Sequence, residues 1–119
     1  MRIAVSGTSN VGKSTFIQDF IKEFPMYTAS KVNYRELVKS KGLRLNKKGS
    51  EESQEIILNS LLDEVMNTPG NCNIIFDRCT LDNIVHTLWI KEKYPKRISD
   101  DFIRKCLHLH KQATKFYDI

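Results

Sequence analysis

No stretch of this sequence is apolar for long. Runs such as Ile3-Ala4-Val5 and Ile74-Ile75-Phe76 stop far short of the ~20 residues that span a bilayer. The N-terminal run is also too short for the core of a signal peptide, so the expected compartment is the cytoplasm, with no membrane partner. Cys72, Cys79 and Cys106 are odd in number and show no C-x-x-C spacing. That argues against a disulfide framework or a zinc site and for reduced, mostly buried thiols. His108 and His110 are two apart, a spacing that does not bring side chains together on a helix, and His86 stands alone; ordinary packing or surface roles are expected for all three.

Acid is nearly missing from one region. Between Lys31 and Lys48 seven basic residues face a single acid, Glu36, a net +6 within a chain of net +5. A protein that tracks a nucleic-acid backbone spreads its basic footprint over a face. Here the charge is packed into one connection, which argues against nucleic acid and leaves two readings: a solvated segment, or one that draws an anionic substrate inward.

Glycine is scarce, with five residues in 119, and two of them stand five apart in SGTSNVGKSTF. Gly7-Thr8-Ser9-Asn10-Val11-Gly12-Lys13-Ser14 fits G-x-x-x-x-G-K-[ST] at every defined position. It lies between Arg2–Ser6, which reads as a short buried strand, and a helical pattern of Phe16, Ile17, Phe20, Ile21 and Phe24 that Pro25 ends. Gly7 and Gly12 permit a tight backbone path, so the amides from Gly7 through Thr8, Ser9, Asn10 and Val11 can turn inward as an anion nest. The unpaired amides of the following helix aim at the same point. Lys13 would then reach the β/γ-phosphates of a bound polyphosphate as a point charge, Ser14 would offer its hydroxyl to Mg²⁺, and Thr15 suits the α-phosphate side.

Further along, Met26–Ala29 is a weak strand and Asn33 with Glu36 forms a capping box for a short helix. Gly42 to Gly49 is a polar, basic loop. Ser50 caps a helix whose apolar face is Ile57, Leu58, Leu61, Leu62 and Val65, with Pro69-Gly70 as the stop. Cys72–Phe76 is a second clear strand. Ile84, Val85, Leu88 and Trp89 mark another helix, and Ser99 opens a last one bearing Phe102, Cys106, Leu109, Ala113 and Phe116. Strands alternating with helices predict an α/β fold, a parallel sheet with right-handed crossovers, in one domain over residues 1–119. Tyr117-Asp118-Ile119 has the pattern of a further strand beginning, so the expectation is three strands plus the start of a fourth. The chain then reads as a fragment, a truncated product or a domain completed by another chain.

Asp77-Arg78 closes the Cys72–Phe76 strand, on the rim that a parallel sheet shares with the glycine loop. Asp77 can face Mg²⁺ or an attacking hydroxyl, and Arg78 can fork onto a phosphate; as a purely structural pair, Asp77 would cap the next helix and Arg78 would pair with an acid. Asp82 is placed either to pair with Arg78 or to sit in a first helical turn.

GTSNVGKST, followed by an apolar strand ending in Asp77-Arg78, resembles the P-loop nucleoside and nucleotide kinases. The run Asp77-Arg78-Cys79-Thr80-Leu81-Asp82 is similar to nicotinamide-ribonucleoside-kinase-like ATPase domains and viral deoxynucleotide kinases. The resemblance implies a three-layer P-loop NTPase fold with ATP and Mg²⁺ as cofactors. Gly7, Gly12, Lys13, Ser14 and Thr15 would hold phosphates and metal. Asp77 would position or deprotonate the acceptor, or hold the metal through water, and Arg78 would grip the acceptor's phosphate or ribose end. The basic stretch around Arg35, and Gln54 near the start of the Ser50 helix, would lie on the acceptor side. Such domains continue into a fourth strand, an arginine-bearing lid and a fifth strand, so the resemblance covers this whole chain but only the first two-thirds of such a domain.

Three functions follow as expectations. The first is an ATP-Mg²⁺ phosphotransferase acting on a small nucleoside or nucleotide. The second is a nucleotide- or partner-binding regulatory module without turnover, using an unfinished sheet edge for self-association or a partner. The third is a GTPase-like switch, disfavoured because Asp77 is not followed by D-x-x-G spacing and no N-K-x-D occurs.

Overall fold

The computed structural model describes residues 1–8, 10–43 and 48–119. Ser9 of the glycine loop, and Arg44 and Lys47 of the basic stretch, lie outside them. Among the described residues the chain is mixed α/β, a small parallel sheet of three strands with five α-helices. In chain order these are β1 (Arg2–Val5), α1 (Lys13–Glu23), β2 (Thr28–Ala29), α2 (Tyr34–Ser40), α3 (Glu51–Met66), β3 (Ile74–Asp77), α4 (Thr80–Lys93) and α5 (Asp100–Ala113), with a 3-10 turn at Pro95–Arg97 before α5. The expected Met26–Ala29 strand shrinks to two residues, because Met26 and Tyr27 are spent on the turn that brings the Tyr27 amide back to the Phe24 carbonyl.

β3 lies in the middle, with β1 and β2 on either side and both parallel to it. Its register sets Ala4 beside Phe76 and Val5 beside Asp77. Side chains alternate across a strand. Ile74 and Phe76, with Ala4, therefore face one side, where they join Leu58, Leu62 and Val65 of α3, Ile84 and Ile90 of α4, and Phe102 and Cys106 of α5 in the core. All five apolar positions expected on the α3 face are buried, and removing one such side chain, Leu58 for instance, costs about 2–5 kcal/mol. Ile75 and Asp77 face the other side, toward α1.

That second face is thinly covered. The helical run Phe16–Phe24 does form α1, yet only Ile17 is buried, while Phe16 is 53% and Phe24 44% exposed. Phe16, Phe20, Phe24 and Tyr27 instead form a ladder of tilted and edge-on rings, with centroids 4.8–6.1 Å apart. On α4 the apolar run splits the same way: Ile84 goes to the core, but Val85 and Leu88 stay exposed. Both helices carry more apolar surface than a single packing face can absorb.

The last residues lie along the outer edge of β1. The Ala4 amide donates to the Ile119 carbonyl (2.8 Å), and the Asp118 and Ile119 amides donate to the Arg2 carbonyl (2.8 and 3.3 Å). This is parallel-ladder pairing around Ile3, one residue pair long. The Arg2 guanidinium holds the Asp118 carboxylate at 3.4 Å, and the Arg2 amide, donating to the same carboxylate at 2.6 Å, keeps its pKa below the usual value. No helix among the described residues is long and apolar enough to cross a membrane. Cys79 and Cys106 are buried, Cys72 is half-buried, and all three are unpaired.

Candidate functional site

The β1–α1 connection turns on residues with positive φ: Gly7 at 153°, Asn10 at 64° and Gly12 at 94°. At Gly7 a Cβ would also come within 3.4 Å of Val11 Cγ2, so the loop is closed tightly over this position. Gly12 is the residue that starts α1. Its left-handed backbone suits glycine, it has no side chain to cap the helix, and no acid lies in the first turn. The amides at the start of α1 therefore point out of the helix with their positive dipole end, and Ser14 and Thr15 stand exposed beside them.

Lys13 curls back over this loop. Its Nζ donates to the carbonyl oxygens of Gly7 (2.7 Å) and Thr8 (2.5 Å). Its pKa is lowered first by partial burial and then by the nearby Arg78 charge, with Asp77 and Asp82 opposing and Arg35 adding a little. Five charged groups, two acids and three bases, thus sense one another at this end of the sheet. Asp77, Arg78 and, most weakly, Arg35 lie near enough for their charges to be felt at Lys13.

Asp77 is level with Val5 across the sheet and faces the α1 side. Its Oδ1 is buried with no hydrogen-bond partner among the described residues. Buried polar atoms are nearly always satisfied, so a lone carboxylate oxygen at the mouth of a glycine loop suits a ligand, either a hydroxyl donor or a hard cation of the Mg²⁺ kind, which takes one or two carboxylates and fills the rest of its shell with phosphate and water. Among the described residues no three His, Cys, Asp or Glu side chains are gathered to hold a metal by themselves.

Arg78 has φ 84°, an unusual conformation for a residue with a side chain, costing on the order of 1–3 kcal/mol. The strain has a structural counterpart: the Arg78 amide turns back to the Val5 carbonyl (3.0 Å), tying the ends of β1 and β3 together. The Arg78 charge also reaches His86, whose pKa is lowered by burial first and Arg78 second; that ring stacks on Trp89. His110 finds a different partner, Thr80 Oγ1 at 2.6 Å.

Gln54 is set apart from this group. It is buried between α3 and α4, where its carbonyl oxygens take hydrogen bonds from Asn83 Nδ2 (2.9 and 3.2 Å) and Thr87 Oγ1 (3.2 Å). Its side-chain hydrogen bonds go to α4 and none of them to the loop. An open cleft of about 560 Å³, lined by Lys48, Gly49, Ser50, Glu52 and Arg97, lies at the start of α3.

Asp82 has a larger part than its sequence position suggested. It sits in the first turn of α4, where Oδ2 accepts the Cys79 amide (2.8 Å), and its Oδ1 accepts from Ser6 Oγ (3.0 Å) and the Gly7 amide (2.8 Å). Gly7 thus spends its amide on Asp82, so that amide is not among those left to turn inward, contrary to expectation. The signal available in the sequence was an acid at the third helical position; the reach across to the loop follows from β1 and β3 being neighbours. No family model matches the chain, and neither a curated protein nor a solved structure matches it.

Proposed function

We propose that this chain is a phosphotransferase of the P-loop kinase type, built on a three-layer P-loop NTPase fold, that moves the γ-phosphoryl of ATP to a small nucleoside or nucleotide. The observation that carries the reading is the placement of a buried, unpartnered carboxylate oxygen, Asp77 Oδ1, beside a glycine loop on which Lys13 is folded. In this role the amides at the start of α1 and the Lys13 ammonium hold the triphosphate; Ser14 would hold Mg²⁺ directly, and Asp77 would hold it only through water. The bound Mg²⁺ supplies charge neutralisation as phosphoryl transfer proceeds. The acceptor hydroxyl oxygen forms the new bond to γ-phosphorus and the bond to the β-phosphate oxygen breaks. ADP leaves with that electron pair and Asp77 takes the hydroxyl proton. Arg78, and Arg35 across the rim, grip the acceptor's anionic end, where a bidentate arginine is strongest. Positioning and charge do nearly all the work in this chemistry.

A second reading, a nucleotide- or partner-binding module without turnover, is favoured by the apolar surface left open on α1 and α4. One assay separates them. Purified protein is given MgATP, or MgGTP, with a panel of nucleosides and nucleoside monophosphates, and Lys13→Ala as control. Acceptor-dependent ADP release that vanishes in Lys13→Ala is the expected result. Tight MgATP binding with no acceptor-dependent release would leave the module reading standing, and a strict preference for GTP would point to a switch.

A further inference from the structure

We infer that Asp82 is a positioning residue that couples the glycine loop to the Asp77–Arg78 turn, so that the donor and acceptor halves of the site move as one body. The inference rests on the phosphotransfer reading and adds a link between its two halves. One carboxylate, 75 residues from Gly7 in sequence, joins two chain segments: Oδ1 takes the Ser6 hydroxyl and the Gly7 amide at the start of the loop, and Oδ2 takes the Cys79 amide just after Arg78. The Arg78 amide to Val5 carbonyl bond makes a second tie between the same segments. An ionised aspartate accepts through both oxygens and so satisfies donors on both sides at once. Its hydrogen bonds to N–H groups are of the charge-assisted, stronger kind. α3 and α5 have their first turns capped by the hydroxyls of Ser50 and Ser99, whose side-chain bonds stay within their own helices; the side-chain cap of α4 is shared with a neighbouring loop.

Because binding on one side is felt on the other through a shared element, weakening this carboxylate should loosen the grip on nucleotide even though Asp82 itself stays at the back of the loop. Two substitutions separate that effect from loss of a helix cap. Asp82→Asn has one oxygen and one amide nitrogen, so it loses either the loop or the Cys79 tie. Asp82→Glu keeps the charge and the acid that favours a helix's first turn, but its extra methylene pushes the carboxylate out of register with Gly7. Ser99→Ala, which removes the α5 cap, serves as a control of comparable stability cost.

The experiment measures MgATP affinity by titration calorimetry on the full chain, and amide hydrogen exchange by NMR without ligand. The expected result is MgATP binding about tenfold or more weaker in both Asp82 variants. Asp82→Glu should melt close to the wild type, and Ser99→Ala should bind MgATP as the wild type does. In Asp82→Asn either the Gly7 or the Cys79 amide should lose protection from exchange. Wild-type MgATP affinity in Asp82→Glu, or unchanged exchange rates at both the Gly7 and the Cys79 amides in Asp82→Asn, would overturn the coupling. A wild-type protein that binds no MgATP sinks the nucleotide reading instead, and the exchange measurement then decides the coupling alone.

Discussion

The two helices that begin at the sheet's carboxyl rim start in opposite ways. α4 starts closed: Asp82 in its first turn takes the Cys79 amide and reaches on to the neighbouring loop. α1 starts open: Gly12 offers no side chain, the first turn has no acid, and the positive end of the helix meets a cation, Lys13, instead of the usual carboxylate. A lysine there is unfavourable for an isolated helix, since the dipole prefers an anion by about 0.3–1 kcal/mol. A helix start left uncapped and ringed with positive charge is stable enough only because the rest of the domain holds it, and it becomes favourable when an anion arrives. Stability is kept at the start of α4 and given up at the start of α1, a difference that suits the anion binding proposed above.

The largest test falls on the open start. Lys13→Ala should lower phosphotransfer by about 10²–10³-fold, as for loss of one charge-stabilising donor, while the melting temperature barely moves. A normal rate would remove the contrast between the two starts. Asp77→Asn comes next. It should cut turnover by about 10²-fold or more, as for loss of a general base, and leave MgATP affinity within a few-fold. The melting temperature should hold or rise, because Asp77 Oδ1 has no partner to lose. Single-turnover rates and calorimetry read both outcomes.

Much of this contrast is legible in the amino-acid sequence. The glycine-lysine spacing, the strand before it and the helix after it place the loop from local pattern alone, and the five apolar positions of α3 are all buried as their spacing requires. The level of Asp77 with Val5 follows once both strands are taken as parallel neighbours. What local pattern could not show is anything decided by which elements meet. Gln54, at the start of a helix, looked available to an acceptor, yet α4 packs over it and Asn83 and Thr87 take up its oxygens, leaving only its buried Nε2 without a partner among the described residues. The aromatic spacing of α1 announced a buried face, but a two-residue β2 and a three-stranded sheet offer too little surface to cover Phe16 and Phe24. Asp82 was legible as a first-turn acid and not as a bridge, because its second partner is 75 residues away in sequence.

Closing the open start sharpens the comparison with a smaller effect of two signs. Thr15→Glu puts a carboxylate in the first turn of α1, where α3, α4 and α5 each carry one. The helix should gain about 0.3–1 kcal/mol from its dipole. MgATP affinity should fall, since the new charge repels the phosphates that the proposed site accepts. A variant both more stable and still able to bind would show that this helix start is not where the nucleotide's charge resides.

The smallest expected effect concerns another carboxylate that joins two elements. Glu64 on α3 takes the Ser30 hydroxyl and the Val32 amide (3.4 Å) in the connection between β2 and α2, the stretch that leads to Arg35. Burial is the main cause that raises its pKa to about 7, and the Val32 amide opposes it only partly. A raised acid pKa means the folded state favours the proton: the stabilisation is complete below the ordinary value near 4.5 and is lost as pH rises through about 7. Wild-type stability should therefore fall between pH 5 and 8 by on the order of 1 kcal/mol more than that of Glu64→Gln, a figure discounted for a half-exposed site. Glu64→Gln stands in for the protonated carboxyl. Urea melts of both proteins at each pH check this, since the shared titration of His86 and His110 cancels in the difference. Equal slopes would mean that the carboxylate keeps its charge in the fold, and that Glu64 bridges its loop as an ionised group, in the manner of Asp82.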